Sequence, residues 1–142
     1  MTTAALTGLP EVRTYRFITL NTPDAPKLSR EHVAWLVTYN ACPVELDTAK
    51  LLVSEVVTNA HEHTGSALVC LTTTIRPTGL RVAVYDTDPH HLPSPPHDPP
   101  LLPTAERGRG LLLLQTCASS WGYNLHGGAH PSGKTVWFAL TT

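Results

Sequence analysis

The sequence predicts an α+β fold: a two-layer α/β sandwich with a mixed, mainly antiparallel sheet and helices on one face. Three observations predict it. Strand-length alternating segments recur along the chain, two helical stripes stand side by side after the first strand, and short turns join the later strands. Strands joined by short turns can pair antiparallel, which leaves the helices to cover one face. The chain has 142 residues, 42% apolar and 15% charged. That length fits one domain, and the aliphatic content is too high for disorder.

The elements follow in order. The first twelve residues read as a flexible N-terminus. "RTYRFITL" (13–20) alternates and is rich in aromatic and β-branched residues, so it reads as a strand. Leu28, Val33, Leu36 and Val37 lie close to a helical stripe, which predicts a helix over 25–40. A second helix is expected over 47–63, with Asp47 or Thr48 as its cap and Gly65 as its stop. Leu52, Val53, Val56, Val57 and Ala60 form its apolar stripe; Glu55, Asn59 and Glu62 form a polar one. Segments 67–76 and 79–86 read as strands joined by a turn at Pro77-Thr78-Gly79. Seven of the 13 prolines then fall in "PHHLPSPPHDPPLLP", which excludes helix and central strand and makes 88–107 a long loop. Loops of that length are commonly lids or binding loops. A helix over 110–119 and a closing hairpin, 121–128 with 133–141, complete the chain. Trp121 and Trp137 read as core aromatics.

Composition excludes several functions. The formal net charge is -1, so no electrostatic footprint for nucleic acid is present. No apolar run approaches the ~20 residues of a membrane span. "MTTAALTGLPEVR" lacks the basic and apolar regions of a signal peptide. Cys42, Cys70 and Cys117 are odd in number and form no CxxC, which predicts three reduced, mostly buried thiols in a cytoplasmic protein. His61 and His63 diverge on a helix, and no H-E-x-x-H occurs; His90, His91 and His97 stand in the loop with Asp88 and Asp98, without the spacing of a dedicated zinc site.

Four features carry chemistry. Glu55 and Asn59 are one turn apart and project from one side of a helix, either as a solvated face or as two working groups. Asp86 continues the apolar row Leu80, Val82, Val84, where a carboxylate is expensive without a partner; a strand-end turn residue making a local Asx bond is the alternative. Gly108-Arg109-Gly110 opens a helix, and bare amides at a glycine-rich helix start can bind phosphate or simply loosen the entry. Gly133-Lys134-Thr135 opens the last strand and reads as a turn exit; "SGKT" is not a phosphate-binding loop, because it precedes a strand. An Asn oxygen can ligate Mg²⁺, a neighbouring Glu can orient or deprotonate a nucleophile, and a buried Asp can accept from the exocyclic amine of adenine.

"SEVVTNAHEH", "VYDTDP", "GRGLLLL" and "GKTVWFAL", in that order, resemble the four boxes of the GHKL (gyrase, histidine kinase, MutL) ATPase superfamily. The resemblance covers 13–140 and is nearest to the small bacterial anti-sigma-factor serine/threonine kinases. It implies a single ATP-binding domain using ATP and Mg²⁺. Glu55 would be the catalytic base and Asn59 the Mg²⁺ ligand, with His63 near the pocket mouth. Asp86 would read the adenine amine with Thr135 in support, and Asp88 would follow in the same box. Arg107, Gly108, Arg109, Gly110 and Leu111 would line the phosphates, and the proline-rich loop would be the ATP lid. The implied partners are an anti-anti-sigma-like protein or a sigma factor, with a possible homodimer, and neither nucleic acid nor membrane. One departure stands out. Where the family reads Asp-x-Gly-x-Gly, this chain reads Asp86-Thr87-Asp88-Pro89-His90. The lost glycines and added carboxylate predict weakened nucleotide affinity and leave open a module that acts by protein contact alone.

Overall fold

The structure is a computed structural model and describes residues 11–90, 92 and 109–142. Alternation at the start of the chain produces strand β1 (Arg13–Leu20), whose odd-numbered residues turn inward. Tyr15 and Phe17 pack on the core, while Ile18 and Leu20 are exposed on the other face.

Helix α1 (Ala25–Tyr39) follows a turn in which the Thr22 hydroxyl donates to the Asp24 carboxylate. Pro26 lies in the first turn, where its missing N–H is no loss. The helix buries Ala25, Ser29, Val33, Leu36 and Val37. Leu28, expected in that stripe, is exposed. Ser29 takes its place because positions 29, 33 and 36 align at helical spacing, and a small hydroxyl is tolerated there. Asn40 closes α1: its amide donates to the Leu36 carbonyl at 2.9 Å, and its Oδ1 accepts from Arg13 at 3.3 Å and Tyr15 at 3.2 Å.

Helix α2 (Leu46–His63) starts earlier than the sequence suggests. Its N-cap is Glu45, and Asp47 stands inside the first turn. A carboxylate there gains from the helix dipole without a capping bond, so it does not mark the boundary. Thr64, in an extended conformation, ends the helix, and its hydroxyl donates to the Ala60 carbonyl at 2.6 Å. Gly65 follows as an ordinary residue rather than a left-handed stop.

Strands β2 (Leu68–Arg76), β3 (Gly79–Asp86), β4 (Ser120–His126) and β5 (Gly133–Thr141) complete the sheet. Its order is β1-β2-β3-β5-β4, and every pairing is antiparallel. The last strand therefore inserts beside β3 and leaves β4 at the edge. Leu71, Val82, Val84 and Phe138 point toward α1 and α2 and are fully or almost fully buried. A short helix, α3 (Arg109–Cys117), adds buried Leu114 to this core and packs against α2.

Two sequence expectations are corrected here. Trp121 packs against the core, but Trp137 lies on the opposite face, because it alternates with core residue Phe138. Arg81 sits over its ring, 4.8 Å from the centroid. Of the three thiols only Cys42 is buried; Cys70 is half-buried on the outer face, and Cys117 is exposed.

Candidate functional site

The helix–sheet layer brings the end of α2 and the end of β3 together at one end of the sandwich. Glu55 and Asn59 are both half-buried on α2, one turn apart. His63 is the last residue of α2; its ring is 27% exposed and lies 4.0 Å from the Glu62 carboxylate. Two residues past the Thr64 cap, buried Ser66 accepts from the Thr87 backbone N–H at 3.3 Å and lies 3.1 Å from the Thr87 hydroxyl. Thr87 follows Asp86. The last turn of α2 and the end of β3 therefore meet at the same edge. Asn21 ties this edge further, donating to the Ser66 carbonyl at 2.7 Å and meeting His61 Nδ1 at 2.9 Å.

Asp86 has the partner that its burial demands. Its side chain is 2% exposed, and Oδ1 accepts from Lys134 Nζ at 2.9 Å. The Lys134 side chain is 4% exposed and also donates to the Asp88 carbonyl at 2.7 Å. Asp86 Oδ1 accepts a second bond, from the Asp88 N–H at 2.8 Å. Taking two charges out of water costs several kcal/mol per ion, and good geometry with extra hydrogen bonds is what offsets it. Both are present here.

The altered box after Asp86 has a physical account. Asp86 accepts from the backbone N–H two residues on, and Asp88 Oδ1 accepts from the His90 N–H at 2.8 Å. These are consecutive Asx-type turns. Side-chain acceptors shape the chain where the family uses glycines, and one oxygen of Asp88 is engaged in that turn.

Thr135 is corrected. In β5 it alternates with Lys134, so it faces away from α2. Its hydroxyl lies 2.7 Å from His126 Nε2, on the outer face that also carries Tyr85. The residue opposite Asp86 in register is Lys134. Sequence reasoning treated Lys134 as a turn exit. The signal that could have found it was the phase of the strand: Lys134, Val136, Phe138 and Leu140 share one face, and Asp86 needed a cation. Gly133 also has a packing reason, since a Cβ there would come within 2.7 Å of the Tyr85 hydroxyl.

Arg109 and Gly110 begin α3, and Leu111 lies in its first turn. Arg107 and Gly108, and the expected lid apart from residues 88–90 and 92, lie outside the described residues. Among the described residues, no three His, Cys, Asp or Glu side chains gather as a metal cluster. An amide oxygen and a carboxylate on one half-buried helix face do fit a Mg²⁺ that is held mainly by water and phosphate. No described helix is long and apolar enough to cross a membrane.

Comparison with protein families matches residues 19–140 to the histidine kinase-like ATPase domain. The match spans most of the chain, and the chain belongs to this family of ATP-binding domains within the GHKL superfamily. No curated protein matches it.

Proposed function

We propose that this chain is an ATP-binding regulatory domain of the anti-sigma-factor serine/threonine kinase type. It binds Mg-ATP at the α2–β3 edge and phosphorylates or sequesters a partner protein in bacterial transcription control. What supports this reading is the family match over 19–140 together with Glu55 and Asn59, half-buried one turn apart on α2. Asn59 would hold Mg²⁺, which supplies charge neutralisation at the phosphates when bound. Glu55 would orient the attacking hydroxyl and accept its proton. Asp86 would accept from the nucleobase, and the first turn of α3 would offer backbone amides to phosphate. The natural setting is the cytoplasm, with an anti-anti-sigma-like protein or a sigma factor as partner.

A second reading is favoured by one observation: Asp86 is already paired with Lys134. On that reading the domain holds its partner without phosphoryl transfer. Label transfer from γ-labelled Mg-ATP to proteins of the host extract separates the two. A labelled protein that disappears with Glu55→Ala supports the kinase. Nucleotide binding with no labelled protein supports the binding module.

A further inference from the structure

Lys134 Nζ holds Asp86 Oδ1 from inside the fold, and the paired Asp86 side chain is only 2% exposed. A carboxylate accepts and an ammonium only donates, so Lys134 makes the type of bond that the exocyclic amine of a purine would make. The ammonium is charged and the base amine is neutral. Both bonds to the carboxylate are charge-assisted, but only the ammonium adds the attraction of a full opposite charge, so the side chain is the stronger competitor. Its second bond, to the Asp88 carbonyl at 2.7 Å, holds it across the box that follows Asp86. Register makes this arrangement specific: Lys134 is directly opposite Asp86, whereas Thr135, with its neutral hydroxyl, faces the other side of the sheet.

We propose that Lys134 is a built-in competitor for the nucleobase: its ammonium caps Asp86 in the empty domain, and purine nucleotide binding requires its displacement. This rests on the nucleotide-binding reading above. Apparent affinity then equals the intrinsic affinity multiplied by the fraction of molecules in which the carboxylate is uncapped. Lys134 is in this sense a specificity-setting residue. It keeps occupancy low until nucleotide is abundant, and it discriminates against bases with no amine to offer.

Two measurements test the proposal. The chain has three lysines, and Lys134 is the buried one. In ¹⁵N-lysine-labelled wild-type protein, the Lys134 ammonium should give a slowly exchanging signal, identified as the protected one because Lys27 is exposed and Lys50 half-buried. Titration with Mg-ATP should shift or abolish that signal in proportion to occupancy. Calorimetry on Lys134→Thr should show Mg-ATP binding about tenfold tighter than wild type. A wild-type ammonium signal unmoved at saturating Mg-ATP overturns the proposal and leaves the nucleotide reading intact, since the base is then read beside Lys134. Equal or weaker binding by a folded Lys134→Thr protein does the same. No binding by either protein overturns the proposal and the nucleotide reading together. The wild-type spectrum decides the matter even where Lys134→Thr fails to fold.

Discussion

Asp86 and Lys134 are each tolerable in the interior because the other is there. Removing one partner of a buried pair typically costs about 3–5 kcal/mol, because a charge is left uncompensated. Lys134→Met and Asp86→Asn should each destabilise the domain on that order. The double variant should lose much less than the sum, and a double-mutant cycle in urea measures the difference. His32 offers an independent test. Its ring stacks on Phe17 at 4.5 Å, and its buried Nε2 has no hydrogen-bond partner among the described residues. Burial holds its pKa below the ordinary histidine value of 6.5. The unfolded chain therefore binds the proton more readily than the folded one. The neutral ring's full contribution to stability is present above pH 6.5 and shrinks as pH falls below it. Thermal midpoints should drop across that range, and His32→Leu should flatten the slope. Cysteine chemistry follows the same logic. Burial raises the Cys42 pKa, so Cys117 should react with a thiol reagent well before Cys42 does.

Elements were legible where one periodicity dominated. Residues 13–20, 79–86 and 133–141 read as strands from their sequence and form strands with those bounds. The α2 stripe read from sequence, Leu52 to Ala60, is the buried one. What the sequence hid were features set by a neighbour rather than by the element's own pattern. The start of α2 looked like an Asp47 or Thr48 cap, yet the helix begins before both. Trp137 looked like core because aromatics usually are, but strand phase places it opposite Phe138, under Arg81. The need for a partner at Asp86 could be read from its apolar row; the partner's identity required the β3–β5 register. The β2–β3 turn yields an element-scale prediction. Gly79 has φ +151°, and a Cβ there would stand 2.0 Å from the Leu140 carbonyl oxygen. Backbone cannot yield as a flexible side chain can. Gly79→Ala should destabilise by at least about 2 kcal/mol, read by denaturant unfolding.

At the scale of the molecule, the sandwich places a polar helix stripe, a strand-end carboxylate and a short helix on one side of the sheet. The family match over 19–140 agrees with that architecture. The Asx turns and the Lys134 bond concentrate at the end of β3 that carries Asp86, while Glu55 and Asn59 stand half-buried on α2. The account therefore predicts a nucleotide site that is intact but weak. The most direct test is calorimetric titration of the wild-type domain with ATP, with and without Mg²⁺, beside Asn59→Ala. Saturable binding that needs Mg²⁺ and is lost in Asn59→Ala is the predicted result. Absence of any binding at millimolar Mg-ATP would contradict the account and leave the Glu55–Asn59 stripe as a solvated helix face.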